Sequence, residues 1–341
     1  MTHIIYNGEH MKLKTLALAT GFALAAMSVV GTAQATALAT SILDIRNLTF
    51  RDGAGNILDR SDFSAIGPTN TADISTSLNG TTLSNEMTLA GEDIDMAHIV
   101  LGTPVPGYTE NSYAVYSNPS TSTFSLADQS QFGSPITGLV VNGTPISAPA
   151  TASHGAYVVL DTFADGSSTA NNGLQSGFVF ELGNDGAFEI RFDARAYLEA
   201  WNGSGEVFPT AASAAFNLTF TIDNLLTGAN VATWSPDGVS NAGGASAFGI
   251  TAETDPFRLN DSVSANAPFL NDVARFRGAG VGTAFDGSWS ATTLLTAGTP
   301  YQLTIRSSAE ADARQAIPEP ATLALVGLGI LGLGLSRRRR A

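Results

Sequence analysis

The stretch FVFELGNDGAFEIRF, Phe178 to Phe192, decides the fold class. Phe178, Phe180 and Leu182 alternate, Gly183-Asn184-Asp185-Gly186 interrupts, and Phe188, Ile190 and Phe192 resume the same period. A period of two sends successive side chains to opposite faces of an extended chain, and Gly, Asn and Asp supply turn backbone. Glu189, Arg191 and Asp193 take the opposite face. The pattern predicts a β-hairpin with one apolar and one wet face.

The same period recurs on either side. In AFNLTFTIDNL, Phe216, Leu218, Phe220 and Ile222 point one way and Asn217, Thr219, Thr221 and Asp223 the other. YQLTIR repeats it at Tyr301, Leu303 and Ile305. SILDIRNLTF alternates at Leu43 and Ile45, then changes phase to Leu48 and Phe50, which predicts a bulge near Asn47. Turn clusters such as Ser235-Pro236-Asp237-Gly238 and Asn241-Ala242-Gly243-Gly244 separate the runs. The best helix candidate, ARAYLEAW from Ala194 to Trp201, is short. The expectation is an all-β, antiparallel, jelly-roll-like β-sandwich over residues 36–312. NGTPISAPATASHG, Asn142 to Gly155, reads as an internal loop. SSAEADARQA, Ser307 to Ala316, reads as a small-residue tether, so tether and tail are assigned to 313–341.

Composition narrows the chemistry. Apolar residues make up 44% of the 341, enough for a sizeable core, and charged residues only 13%, about half the usual globular share. Between Thr36 and Ile317 there are 10 Arg and no Lys against 28 Asp and Glu, a net charge near −18. Such a surface repels nucleic acid and anionic lipid. The absence of cysteine removes disulfides, thiolate metal sites and a cysteine nucleophile.

The N-terminus carries an export pattern. From Met11, Lys12 and Lys14 give a positive start, Leu16 to Val30 a mostly apolar stretch, and Ala33-Gln34-Ala35 a small-x-small site. That order predicts a signal peptide over 11–35, helical and outside the fold, cleaved after Ala35. Residues 1–10 lie outside the pattern. Gly8-Glu9-His10 before Met11 is compatible with a ribosome-binding element in the coding sequence, so Met11 is expected to be the true start and 1–10 a translated leader.

Few residues in the body suggest catalysis. His98 and His154 are the only histidines after the signal, and neither sits in an HExxH pattern; no GxSxG elbow occurs. Glu92, Asp93 and Asp95 form the densest acidic cluster, read either as a Ca²⁺ site or as a solvated acidic loop, and EF-hand spacing is absent. Gly327-Leu328-Gly329-Ile330-Leu331-Gly332 matches GxGxxG but lacks the following helix and acidic residue of a dinucleotide site. Trp201, Trp234 and Trp289 could stack sugars on an exposed face or fill a core, the commoner fate of tryptophan.

The C-terminus is the most specific region. Pro318-Glu319-Pro320 fits neither mid-helix nor mid-strand. Ala321 to Leu335 follows, fifteen residues apolar apart from Thr322, then Arg337, Arg338, Arg339 and Arg340. As a helix that run is about 22 Å long, short of the ~30 Å hydrocarbon core. The arginines would hold the C-terminus in the cytoplasm and the body outside. Pro-Glu-Pro, a short transmembrane segment and a terminal arginine cluster, in that order, resemble the PEP-CTERM sorting domain. The resemblance implies an exported protein of exopolysaccharide- or biofilm-forming bacteria, processed by a membrane-embedded exosortase. Pro318, Glu319 and Pro320 would then be recognition residues, 321–335 a temporary inner-membrane anchor, and Arg337 to Arg340 the cytoplasmic stop. ENSYAVYS, Glu110 to Ser117, is similar to the Glu-Asp-Ser-Ala-x-x-Tyr-Gly signature of one PEP-CTERM subset. It keeps Glu110, Ser112 and Tyr116 and departs at Asn111, Tyr113 and Ser117.

The sequence therefore predicts an exported cell-surface or matrix protein with a non-enzymatic structural role, no catalytic residues and no cofactor, Ca²⁺ apart. Exosortase is the expected processing partner and exopolysaccharide a candidate ligand. A polysaccharide-binding sandwich is the second reading and a secreted hydrolase the third.

Overall fold

Alternation assigns residues to faces and leaves open which strands lie side by side. The computed structural model describes residues 37–104, 108–115, 122–161, 164–171, 176–202, 210–240, 242–267, 273–276 and 285–315. The strands are β1 (Ala37–Arg51), β2 (Phe63–Leu78), β3 (Thr81–Leu89), β4 (Ile94–Gly102), β5 (Phe124–Phe132), β6 (Val140–Val141), β7 (Thr144–Pro145), β8 (Ala150–Leu160), β9 (Asp165–Asn171) and β10 (Ser176–Leu182). They continue with β11 (Gly186–Asn202), β12 (Thr210–Asn224), β13 (Ala229–Trp234), β14 (Ala247–Phe248), β15 (Ala252–Thr254), β16 (Asp261–Ala267), β17 (Val273–Phe276), β18 (Phe285–Leu295) and β19 (Tyr301–Gln315).

Two large antiparallel sheets result. The first runs β15-β18-β11-β1-β8-β5-β4, with β17 also on β11. The second runs β10-β2-β9-β19-β12-β13-β14, with β3 on the outer side of β2 and β16 on β12. β9 and β10 each pair with both β2 and β19, filling successive parts of one lane. The sheets pack face to face, β1 and β8 over β19, and β5 over β2 and β9, so the chain is an all-β antiparallel sandwich.

The opening stretch is not a hairpin. β10 belongs to the second sheet and β11 to the first, so Gly183–Gly186 carries the chain across the sandwich. Phe180 and Phe188 meet from opposite sheets with ring centroids 5.3 Å apart and planes 19° apart. The reason lies in the two apolar rows. In a hairpin they would lie side by side on one sheet; in the arch each row buries the other.

Three further expectations change. ARAYLEAW is strand, the continuation of β11, with Ala194, Ala196, Leu198 and Ala200 inward. Its helix-forming composition yields to pairing with β1 on one side and β17 and β18 on the other. SSAEADARQ is not a tether. It completes β19 to Gln315, with Ser307, Ala309, Ala311 and Ala313 buried and Glu310, Asp312 and Arg314 outward. The internal loop is shorter than its composition implied, because β8 begins at Ala150. The bulge near Asn47 is present: the register of β1 shifts between Arg46 and Thr49, and Asn47 has φ 55°.

The core changes character along the strands. One part is aromatic: Phe192 stacks on Trp289 at 5.7 Å and contacts Phe220 and Trp234. Another is built of Ala37, Ala39, Ala156, Ala200, Ala212, Ala309, Ala311 and Ala313. Small side chains let the sheets approach there. A Cβ on Gly166 would come within 2.8 Å of Val158 Cγ1. Hydroxyls bridge the sheets directly. Ser41 Oγ donates to the Ala215 carbonyl (2.6 Å), Ser125 Oγ to the Ser167 carbonyl (2.6 Å), and Thr76 Oγ1 to Ser125 Oγ (2.5 Å). Ala37 and Ala313 share the alanine cluster, so β1 begins and β19 ends at the same end of the sandwich.

Candidate functional site

The chemically densest region lies on the outer face of the first sheet. Leu38, Ile42, Phe124, Leu126, Tyr157, Val159 and Tyr197 form a second apolar layer there. The β4–β5 connection covers it with Tyr108, Tyr113 and Val115. This explains why β5, FSLADQSQF, is buried on both faces.

Polar groups tie that strap down. Asp128, fully buried on β5, accepts hydrogen bonds through Oδ2 from the Tyr108 hydroxyl and from the Asn111 N–H (2.8 Å). Burial pushes the Asp128 carboxyl above the ordinary range, and the Tyr108 and Asn111 hydrogen bonds oppose that shift. Burial, first, and neighbouring charge, Asp128 included, raise the Tyr108 and Tyr113 hydroxyls, so both stay protonated donors. Tyr113 shares a 2.9 Å hydrogen bond with Ser130, and its carbonyl accepts from Arg195 (2.8 Å). Asn111 Nδ2 donates to Asp95 Oδ1 (2.9 Å). Asn111 and Tyr113 hold φ values of 59° and 42°, a region sparsely populated by residues with a side chain. Gly155 makes room, since a Cβ would lie 2.8 Å from Tyr157 Cε2 and 3.1 Å from Tyr113 Cδ1.

ENSYAVYS is therefore largely the strap. Glu110 accepts the His98 backbone N–H at 3.1 Å and stands 3.7 Å from His98 Nδ1, while Tyr116 and Ser117 lie outside the described residues. Beside the strap, Tyr197 donates to Glu199, both fully buried, and Trp201 packs half-buried against the same layer. The arrangement anchors a loop over a sheet. His98 and Glu110 stand at its partly exposed margin, and Asp128, Tyr113, Tyr157 and Glu199 are closed off from solvent.

The other candidates are dispersed. His154 faces the core, fully buried, with Nε2 2.6 Å from Ser307 Oγ across the sandwich. Burial lowers it from 6.5 to about 3, so it is neutral. Glu92, Asp93 and Asp95 turn to different donors: Asn142 Nδ2, the Gly133 N–H and Asn111 Nδ2. Among the described residues no group of three or more His, Asp or Glu is placed to hold a metal ion. Trp234 and Trp289 are 1% exposed and belong to the aromatic core, where Trp289 Nε1 donates to Asp255 and to the Phe257 carbonyl; neither can stack a ligand. Asp128, Gly155, Tyr108, Tyr157 and Tyr197 were missed by sequence reasoning, which named Tyr113 only within ENSYAVYS. The one available signal was that β5 has apolar residues in both of its alternating sets.

The sorting residues Pro318, Glu319, Pro320 and Arg337 to Arg340, with 321–335 and Ala33 and Ala35, lie outside the described residues. Among the described residues no helix is long and apolar enough to cross a membrane. Ala37, at the start of β1, and Ala313, near the end of β19, share the alanine cluster of the sandwich. Residues 316–340 match the PEP-CTERM protein-sorting motif, and the motif implies sorting by exosortase towards the cell surface. No curated protein matches the chain. Solved structures similar to it include the infectious bursal disease virus VP2 subviral particle (11% identity over 90% of this chain and 88% of that one, TM-score 0.11). Infectious bursal virus derived T=1 particles are another (14%, 89% and 85%, TM-score 0.10). Likenesses at that level carry no argument about fold or function.

Proposed function

We propose that the protein is a non-enzymatic component of the cell surface or extracellular matrix of an exopolysaccharide-forming bacterium. It is made with a cleaved signal peptide, held briefly in the inner membrane by 321–335, and released when exosortase removes the tail. The observation that carries this reading is the match of residues 316–340 to the sorting motif. The described sandwich, Ala37 to Gln315, lies between the proposed cleavage point and that motif. Ala37 and Ala313 lie in one alanine cluster, so a body tethered at both termini would be held from one end of the sandwich. Release is tested by substituting Glu319→Ala in the native host and fractionating cells. The variant should stay with membranes while the wild type reaches the medium or matrix; equal release would overturn the reading.

Polysaccharide binding is the second reading, supported by the outer face of the second sheet. There Thr82, Ser77, Ser167, Asp312, Ser213 and Ser264 are register partners across six adjacent strands. This row of short hydroxyl and carboxylate groups suits hydrogen bonding to an extended glycan. Sedimentation with purified exopolysaccharide, lost in the Ser167→Leu/Ser213→Leu double variant, would favour it. Glycan turnover abolished by a single Asp or Glu change would overturn both readings.

A further inference from the structure

Open sheet edges present unpaired N–H and C=O groups, and proteins normally blunt them with short strands, bulges, charges or covers. Several of the edges among the described strands are treated in that way, while β16 and β17 each pair on one side only, over seven and four residues. β15 has three residues and β14 two. β4 is broken by a register shift between Met96 and Ile99, and its His98 N–H is taken by Glu110. The longest edge paired without a shift is β3. It pairs with β2 at nine successive positions without a shift, carries no Pro, Lys or Arg, and has one charge, Glu86. Among the described residues no strand pairs with its outer side, and the Glu86 N–H is met by the neighbouring Asn85 Oδ1 (3.0 Å). Both its faces are exposed from Thr81 to Glu86, including Leu83 at 43%.

We infer that β3 is an assembly edge that adds the β3 strand of a second copy of this chain, antiparallel about a two-fold axis through Asn85. The sequence is complementary to itself in that register. Thr81 meets Leu89, Thr82 meets Thr88, Leu83 meets Met87 and Ser84 meets Glu86, each twice. The two Leu83–Met87 pairs extend the apolar row that Met87 and Leu89 already contribute to the core, and cover the exposed Leu83. No like charges fall opposite one another. Centring the axis on Glu86 would oppose the two carboxylates, and an odd register would join the core face of one copy to the wet face of the other. The acidic body opposes association, so the dimer strengthens as salt rises.

The chain has no cysteine, which makes the test clean. Directly opposite antiparallel residues have Cα atoms about 4.5–5.5 Å apart, within disulfide range. In full-length protein purified in mild detergent, Asn85→Cys should form a covalent dimer under mild oxidation. Thr81→Cys, whose twin would lie eight residues along, should not. Ser84→Glu, facing Glu86 of the second copy, should weaken dimerisation in sedimentation by about tenfold, and Ser84→Lys should strengthen it. Cross-linking of Asn85→Cys no faster than of Thr81→Cys would overturn the inference, as would identical sedimentation of both Ser84 variants. Ser84 and Asn85 are exposed, so these variants leave the core intact.

Discussion

Gly155 and His154 are neighbours on β8 that face opposite ways, and each governs one side of the first sheet. On the outer side, the space at Gly155 is occupied by Tyr157 and Tyr113, whose rings cannot both retreat because the strap is pinned at Asp128 and Ser130. Gly155→Ala should destabilise the protein by about 1–3 kcal/mol through overpacking. Chemical denaturation measures that loss, and limited proteolysis should cut within 103–123 faster than in the wild type. On the inner side, His154 is neutral when folded, with its titration near 3 against an ordinary 6.5. Below pH 6.5 the unfolded chain takes a proton that the folded one refuses. Stability present above 6.5 is therefore lost as pH falls, by roughly 1.4 kcal/mol per unit until the folded value is reached. His154→Gln removes that slope while offering Ser307 a partner. Urea unfolding from pH 7 down to pH 4 should fall less steeply in the variant, and parallel profiles would contradict the assignment. Asp128 works in the opposite sense, because its raised titration weakens the fold as pH climbs above the ordinary carboxylate range. Comparing variants in one background separates the two.

At the scale of elements, the arch from β10 to β11 is the joint between the sheets. Phe180 stacks on Phe188 and touches Phe63 and Tyr301, each at 5.8 Å. Phe180→Ala should cost about 3–5 kcal/mol, measured by urea denaturation, because the cavity is shared by both sheets. A hairpin would place those rings on one surface and give a smaller loss. The period-two rows were legible in the sequence: Phe216 to Ile222, Tyr301 to Ile305 and both arms of the arch bury the side chains that alternation assigned. Strand partners were not legible, because a period specifies a face and not a neighbour. ARAYLEAW concealed its strand because it has no wet face, the strap layer covering one side and the core the other. SSAEADARQ concealed its strand because alanine, which in other settings marks a tether, is what fits where the sheets come closest. The Asp128 site depends on a strap folding back over its own sheet, a contact that no local pattern encodes. For the sorting tail, composition, order and spacing were sufficient, because such a signal is read as a linear segment.

At the scale of the whole molecule, an acidic sandwich gathers Ala37 and Ala313 into one cluster, and residues 316–340 carry a sorting motif. The account predicts that its fold and its sorting are separable. The described sandwich runs from Ala37 to Gln315, and the account predicts that removal of residues 316–341 leaves thermal unfolding of the body unchanged, whereas trimming β19 to Ser308 should unfold it by removing the alanine row that packs against β8, β9 and β12. The central claim, that the tail is a temporary anchor removed in sorting, is tested most directly by intact-mass measurement of the protein recovered outside the native host's cells. The account predicts a chain that starts after Ala35 and ends near Pro318 to Pro320, without the apolar run. A mass that retains Arg337 to Arg340 would contradict it and make the tail a permanent anchor.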